Sequence, residues 1–434
     1  MMSSDSTVET RKAINGGVIL TLGTVAASGA NYLLNLILGR WLTPAEFADA
    51  NLMVTLMLLA TAVAIGLQLV VAKFTSGDNT SEHQRVLQLM VKLSTWAGIG
   101  LGALLVLPAT YWSSIFNTES GWLFVILGVT LPFFAIQSAY RGLLQGRLKF
   151  GSLASTFLVE AAVRLIASLG LVLLGFGVTG ATIGLGVSFV ATWAVSKYLV
   201  VKTVDLAGEV AANPLLQKQI QAFIAPTAVL LFAQIIINNG DVLVTKSSFD
   251  PTEAGIYAAV ALIGRAVFFL SWSVVQAFFP VASANANDPA SSAKVMRLGL
   301  AVVVGMCILM TAGVAVLGDW FLVTALGEEF AGQRNVLVGY AAATSMFAAS
   351  NYLASHKLAE GSSLVAKWLV GVAILQTVLM VVMSDSSSSI VNAQLIAMGC
   401  GLVGALLLVR GQLVGRSVDQ SASSAVDDAV KEAV

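Results

Sequence analysis

Arg265 has the clearest capacity for chemistry in this sequence, because it interrupts the long apolar segment 254–279 about three helical turns from its start. An isolated cation at such a position in hydrocarbon costs at least about 2.5 kcal/mol, so it needs a carboxylate, a water-filled cavity or an anionic ligand. Asp241, in the preceding apolar segment, is one possible partner and would make a permanent ion pair between two helices. Alternatively, Arg265 binds a phosphate or carboxylate of a substrate, to which a guanidinium offers two parallel hydrogen bonds.

Glu160 and Arg164 form a second charged pair within an apolar segment. They are four residues apart, so they lie on one face of a helix in the order that favours an ion pair. Two interpretations of Glu160 and Arg164 stay open. They form a structural ion pair, or they take part with Asp241 in a proton or ion relay. Glu160 and Asp241 are the two acids that we expect inside the membrane. The preceding basic loop, 141–149, is expected at the cytoplasmic face, where it serves topology or contacts lipid phosphates.

Uncharged polar residues follow single faces of the predicted helices, since they recur at spacings of three and four. One interpretation is a hydrophilic cavity that binds substrate, and the other is hydrogen bonding between helices. Two matching stripes on the first and seventh helices favour the cavity, with the second and eighth helices also lining it. The predicted substrate-binding residues are Asn31, Asn35, Gln68, Gln234, Asn238, Asp241, Arg265 and Gln276.

The composition requires a membrane environment for these residues. The chain has 434 residues, of which 57% are hydrophobic and 11% charged. Charged residues make up about a quarter of a typical soluble domain, so a soluble enzyme, a nucleic-acid-binding protein and a disordered scaffold are excluded. Two cysteines and two histidines indicate neither a disulfide framework nor a metal site, and the glycines at 180–186 lack the ending of a phosphate-binding loop. No cofactor is expected.

The apolar runs predict an all-α protein with twelve transmembrane helices, because a bilayer core of about 30 Å needs about 20 apolar residues per helix. The predicted spans are 14–38, 50–72, 86–107, 122–139, 152–174, 178–201, 220–245, 254–279, 295–317, 336–352, 364–383 and 390–409.

The distribution of positive charge predicts the orientation of these spans. Most of the 23 Lys and Arg residues fall on the side of the N-terminus, whereas the other side holds Arg40, Lys246 and Arg334. Positive charge concentrates on the cytoplasmic side, so we expect a multi-pass protein of the cytoplasmic membrane with both termini in the cytoplasm. The short loops leave no room for a catalytic domain, and we expect no enzyme activity. The tail, 411–434, is expected to be disordered.

A weak internal repeat relates the two halves of the chain. Shifting the sequence by 207 residues aligns Thr43-Pro-Ala-Glu46 with Asp250-Pro-Thr-Glu253, and each segment supplies a helix N-cap, a proline at the first helical position and a glutamate. Six spans separate the copies, which predicts two parallel lobes, 1–201 and 220–410, joined by a cytoplasmic linker, 202–219. Two such halves are typical of a transporter with a site between them.

Several short segments resemble the polysaccharide biosynthesis transporters, which are lipid-linked oligosaccharide flippases of the multidrug/oligosaccharidyl-lipid/polysaccharide (MOP) exporter superfamily. The resemblance covers about residues 14–409. It rests on Glu160 with Arg164, on Asp241 and on the segments 38–47, 141–146, 253–257, 264–270, 279–280 and 327–332.

This resemblance implies a MATE-like fold, in which two six-helix lobes surround a central cavity. It implies a polyprenyl-diphosphate substrate with a sugar head group, moved to the outer leaflet, with Arg265 and the polar stripe as head-group or diphosphate contacts. The implied partners are this lipid-linked glycan, membrane lipids and a glycan polymerase or other export machinery, with no nucleic acid. Some relatives have fourteen spans, whose last two helices could form a groove for the lipid.

Three other functions stay open from the sequence. An ion-coupled multidrug exporter of the same superfamily would need carboxylates, rather than an arginine, in its cavity. A membrane glycan polymerase or ligase would need a large exoplasmic loop, and the longest predicted one is 318–335. A structural membrane scaffold would satisfy its polar residues between helices and have no continuous cavity.

Overall fold

The computed structural model describes residues 2–76, 80–204, 214–286 and 288–413. The chain is mostly helical in these ranges, and they contain no β-strand. The predicted all-α fold class is therefore confirmed. Half of the predicted linker and nearly all of the predicted disordered tail, residues 205–213 and 414–434, lie outside the described residues.

Fourteen α-helices follow one another along the described chain, with a short π-helical turn at Val172–Phe176 and a 3-10 turn at Glu328–Phe330. We number them α1 (Met2–Trp41), α2 (Pro44–Phe74), α3 (Thr80–Val106), α4 (Ala109–Ile115), α5 (Trp122–Gly146), α6 (Phe150–Leu171), α7 (Gly177–Thr203), α8 (Pro214–Ser248), α9 (Pro251–Gly264), α10 (Ala266–Ala284), α11 (Pro289–Ala325), α12 (Arg334–Ala359), α13 (Leu364–Val382) and α14 (Ser387–Leu413).

Nine helical segments of the described chain are long and apolar enough to cross a bilayer. One of them, Phe150–Thr203, is 54 residues long and covers two predicted spans, and another, Pro251–Ser283, joins α9 to α10. The protein is therefore a multi-pass membrane protein. The number of twelve crossings and the cytoplasmic location of both termini stay predictions.

Both predicted helix starts of the internal repeat are present. Thr43 Oγ1 accepts a hydrogen bond from the Glu46 amide at 3.3 Å, and a Glu46 carboxylate oxygen accepts one from the Thr43 amide at 3.0 Å. In the second copy, Asp250 Oδ1 accepts from the amides of Thr252 and Glu253 at 2.9 and 3.2 Å. These caps satisfy amides that the first helical turn leaves without a carbonyl partner. As a result α2 begins at Pro44, six residues before the predicted span.

The first compact unit comprises Met1–Ala259 and Val323–Phe330. Within it α3 packs on α5, α6 packs on α7 and α1, and α2 packs on α5 and α8. The close contact of α6 with α7 depends on Gly184, since a Cβ there would lie 2.4 Å from the Ser168 backbone nitrogen. This agrees with the interpretation of the glycines at 180–186 as helix-packing residues.

The second compact unit comprises Val260–Leu322 and Ala331–Val434, of which residues through 413 are described. Here α12 packs against α10, α13 and α14. Helix α11 continues to Ala325, so the loop predicted at 318–335 is shorter than expected. The two six-helix lobes, with boundaries at 201 and 220, stay a prediction.

Candidate functional site

Three charged side chains meet between α5 and α6, and we call Arg141, Glu160 and Arg164 the buried arginine cluster. The predicted pair is present, with Arg164 Nη2 at 2.5 Å from Glu160 Oε1. The other carboxylate oxygen of Glu160 lies 2.7 Å from Arg141 Nη2. Gln137 Nε2 also donates to Glu160, at 3.3 Å. One carboxylate therefore holds two guanidinium groups.

Arg141 lies in a helix, whereas the sequence predicted a basic loop at 141–149. It lies within α5 and is 6% exposed. Its Nε donates to Thr156 Oγ1 at 3.0 Å, its Nη2 donates to the Thr156 carbonyl at 3.1 Å, and its guanidinium lies 4.1 Å from the centre of the Phe157 ring. The prediction of a loop at Arg141 was wrong because α5 continues to Gly146 and turns this face of its last turns toward α6. The location of the segment at the cytoplasmic face stays a prediction.

Arg164 connects the cluster to the polar stripe of α1. Its Nη1 donates to Asn31 Oδ1 at 3.0 Å, and its Nε donates to Ser188 Oγ on α7 at 3.4 Å. Arg164 is 7% exposed, and the Phe189 ring lies 5.7 Å from its guanidinium carbon. Three helices thus position this one guanidinium. The structure brings together predicted site residues from two distant parts of the sequence, Asn31 and the Glu160–Arg164 pair.

The charges of the buried arginine cluster do not cancel. Two guanidinium groups stay protonated at any physiological pH, and a single ionised carboxylate balances one of them. A buried charge without compensation is strongly unfavourable in an apolar environment. The cluster is therefore suited to accept an additional anion.

Other predicted polar residues make bonds that hold helices together or stay within one helix. Gln68 Nε2 donates to Gln145 Oε1 at 2.8 Å and so links α2 to α5. Asn35 Nδ2 donates to the Asn31 carbonyl at 2.9 Å, and Asn238 Nδ2 donates to the Gln234 carbonyl at 3.2 Å. These contacts are the kind expected if the amides connect helices or relax onto their own backbone. Their role as substrate contacts stays a prediction.

Asp241 and Arg265 lie in different compact units. Asp241 is fully buried in α8 and accepts a hydrogen bond from the Tyr257 hydroxyl at 3.1 Å. Arg265 lies at the junction of α9 and α10, where its Nε donates to the Tyr340 hydroxyl at 2.9 Å. Their mutual pairing stays a prediction. The side chain of Gln276 lies outside the described residues.

A buried ion pair that the sequence analysis missed joins α2 to α8. Lys246 Nζ lies 2.6 Å from Asp49 Oδ1, and the two residues are 1% and 2% exposed. Asp49 is therefore a third buried acid beside Glu160 and Asp241, and the location of Glu160 and Asp241 inside the membrane stays a prediction. A signal was available, because the N-cap predicted at Thr43 starts the helix at Pro44 and thereby places Asp49 inside it.

A polar cluster also lies where α12 ends, outside the predicted span 336–352. Ser292 Oγ contacts both His356 Nε2, at 3.1 Å, and the Glu360 carboxylate, which also binds Lys357. Burial lowers the pKa of His356 despite the nearby Glu360. For Glu360, burial raises the pKa, but hydrogen bonds led by those from Lys357 and Ser292 outweigh this and lower it overall. In the part of the chain that the structure describes, no three His, Cys, Asp or Glu residues are grouped to hold a metal ion.

Comparison with solved structures identifies the fold. A multidrug resistance MATE family transporter of the MOP superfamily, in an inward-facing conformation, is 13% identical with a TM-score of 0.76, covering 89% of this chain and 96% of its own. The lipid II flippase MurJ, in an inward closed conformation, is 12% identical with a TM-score of 0.76, covering 91% and 87%. A MOP superfamily transporter from Pyrococcus furiosus Vc1 (DSM3638) is 14% identical with a TM-score of 0.59, covering 92% and 96%. The MATE-like fold is thus confirmed.

The sequence itself gives the family. No curated protein matches the chain. Residues 13–286, well over half of the chain, match the family described as polysaccharide biosynthesis protein. This range contains the buried arginine cluster, the polar stripe of α1 and the Asp49–Lys246 pair. The match confirms the predicted resemblance: the chain belongs to the polysaccharide biosynthesis protein family.

Proposed function

We propose that this protein flips a lipid-linked, polyprenyl-diphosphate oligosaccharide or glycan precursor across the cytoplasmic membrane, by alternating access, for polysaccharide export. The observation that carries the proposal is the excess positive charge of the buried arginine cluster, two guanidinium groups around Glu160. Family membership supports a role in making polysaccharide, and the charge supports an anionic cargo.

A diphosphate fits this charge for a geometric reason. Its oxygens can accept paired hydrogen bonds from the planar fork of a guanidinium, which makes charge-assisted bonds stronger than neutral ones. Arg164 is the member of the cluster that reaches Asn31, so it connects the excess charge to the polar face of α1. We assign the diphosphate to Arg164 with help from Arg141. Arg265, Asn31, Asn35, Gln68, Gln234, Asn238, Asp241 and Gln276 are proposed contacts to the head group or the diphosphate.

The same contacts weigh on the open question of ion coupling. Glu160 already binds two guanidinium groups and Gln137, so a proton or a metal cation would have to displace these partners. We propose that Arg164 acts on substrate. Ion or proton coupling through Glu160, Arg164 or Asp241 stays a prediction.

A depletion experiment tests the cargo. Cells depleted of this protein are extracted, their polyprenyl-diphosphate lipids are analysed by mass spectrometry, and a vesicle assay reports which leaflet these lipids occupy. We expect one glycan-linked lipid to accumulate on the cytoplasmic side. Each variant is then expressed in the depleted cells. Arg164→Gln should leave the lipid accumulated. Arg410→Gln, a control that removes an exposed arginine at the end of α14, should abolish the accumulation.

Two outcomes would contradict the proposal. An unchanged lipid pool together with greater sensitivity to cationic compounds would favour an ion-coupled multidrug exporter of the same superfamily. A lipid-linked glycan that reaches the outer leaflet but stays unpolymerised would favour a polymerase or ligase. Interaction with a glycan polymerase or other export machinery stays a prediction, which co-purification from the membrane would test.

A further inference from the structure

The Asp49–Lys246 pair is tied into its surroundings by backbone groups as well as by charge. The second carboxylate oxygen of Asp49 accepts a hydrogen bond from the Glu119 amide at 2.8 Å. Lys246 Nζ donates to the Asn117 carbonyl at 3.1 Å. Both backbone groups belong to the loop between α4 and α5. This loop contains Asn117 at φ 45°, a left-handed conformation that side chains other than glycine rarely adopt and that asparagine tolerates best.

Segments from both halves of the sequence also pack against each other near the start of α2, within the first compact unit. The start of α9 touches the start of α2 so closely that a Cβ on Gly255 would lie 1.8 Å from the Pro44 carbonyl oxygen. The rings of Phe47 and Phe330 meet edge to face with their centres 6.3 Å apart. All these contacts lie where α1 ends and α2 begins, at the face that the charge distribution predicts to be exoplasmic.

We propose that Asp49 and Lys246, with the Asn117 carbonyl and the Glu119 amide, form a releasable latch that holds α2 to α8 at this face. The inference rests on the proposed transport function, since alternating access requires the two halves of the chain to separate at each face in turn. Lys246 comes from the second half and Asp49 from the first, so separation of α2 from α8 breaks the pair.

An ion pair is suited to a latch because it holds only while both partners stay together. Buried pairs add little net stability over apolar contacts, since both charges lose their hydration, and they regain water when they separate. A neutral apolar contact at the same place would gain nothing from water on opening. The latch therefore closes the face and still permits release. Loss of one partner leaves a lone buried charge, which favours the open arrangement.

Thiol labelling tests the latch without any substrate. Cys307 and Cys400 are replaced by alanine, and Ala254→Cys is introduced as a reporter, because Ala254 is 2% exposed beside Gly255. A membrane-impermeant maleimide is added from the face where α2 begins. We expect Asp49→Asn or Lys246→Met to speed labelling by about tenfold or more, since each leaves a lone buried partner. Glu119→Gln changes an exposed side chain of the same loop and keeps its backbone bond, so labelling should stay at the parent rate.

The double variant Asp49→Asn/Lys246→Met separates charge pairing from simple loss of packing. It has no unpaired charge, so labelling should return to the slow parent rate. Flipping in vesicles should be slower than in the parent, because no charges gain hydration when α2 and α8 separate. Single variants that label as slowly as the parent, or a double variant that labels as fast as the single ones, would overturn the latch.

If the single variants do not accumulate in the membrane, the flipping rate of the double variant still tests the latch. Flipping at the parent rate would refute it. The labelling result does not depend on the cargo. Faster labelling of the single variants alongside an unchanged lipid pool in depleted cells would keep the latch and reject the proposed substrate.

Discussion

The first compact unit contains two buried ionic groups that differ in charge balance. The buried arginine cluster has two cations around Glu160, whereas the Asp49–Lys246 latch pairs one cation with one anion. The cluster is held by side chains of α1, α5, α6 and α7, and the latch by α2, α8 and loop backbone. Excess positive charge suits a site that binds an anion, whereas an ion pair without net charge suits a contact that closes without a ligand.

The largest expected effect separates the two groups by stability. Lys246→Met leaves Asp49 buried without its cation, and breaking a buried pair in this way costs about 3–5 kcal/mol. Arg164→Gln leaves Glu160 still paired with Arg141, so its loss should be clearly smaller. Thermal unfolding of the purified protein in detergent measures both variants. Equal losses would remove the distinction between a balanced and an unbalanced group.

The next largest expected effect is on the flipping rate, and it concerns the buried arginine cluster rather than the latch. Arg164→Gln should slow flipping by about tenfold or more, since a hydrogen bond to a charged group contributes about 1.5–3 kcal/mol. Arg410→Gln removes an exposed arginine at the end of α14, so flipping should continue at the parent rate. A vesicle assay with lipid-linked glycan measures both rates. Flipping at the parent rate in Arg164→Gln, at normal protein levels, would contradict the assignment of the diphosphate to Arg164.

A smaller effect is expected at the helix starts near the latch. Thr43→Ala removes the side-chain cap of α2 and Asp250→Ala that of α9, and loss of an N-cap costs about 1 kcal/mol. Both variants should lower the melting temperature slightly, and Thr43→Ala should also speed labelling of Ala254→Cys by a small factor. Labelling as fast as in Lys246→Met would mean that the cap, rather than the ion pair, holds this face together.

The smallest effect comes from the polar cluster that ends α12. Because the pKa of His356 is lowered in the folded protein, the unfolded chain takes up a proton first as the pH falls below 6.5. Stability should therefore be complete above this pH and decline below it. Glu360, whose pKa is also lowered, adds a further loss as the pH falls below 4.5. Melting temperatures between pH 7.5 and about pH 5.5, where His356→Gln should flatten the decline, measure the histidine contribution.

Sequence reasoning reached those parts of the site that depend on local spacing. The Glu160–Arg164 pair followed from a separation of four residues, and the caps at Thr43 and Asp250 followed from residue type and position. The same reasoning failed for Arg141. Its charge and its place near a basic segment indicated a cytoplasmic loop, and its contact with Glu160 required knowing that α5 and α6 pack against each other.

The sequence by itself determined that this protein enters a membrane as a bundle of apolar helices, because hydropathy and helical period act over short stretches of chain. Its motifs also determined the family. The tertiary structure alone decided that Arg164 reaches Asn31, that Glu160 holds a second arginine and that Asp49 meets Lys246. These contacts join residues far apart in the chain, and whether a buried charge is balanced depends on such neighbours rather than on its own segment.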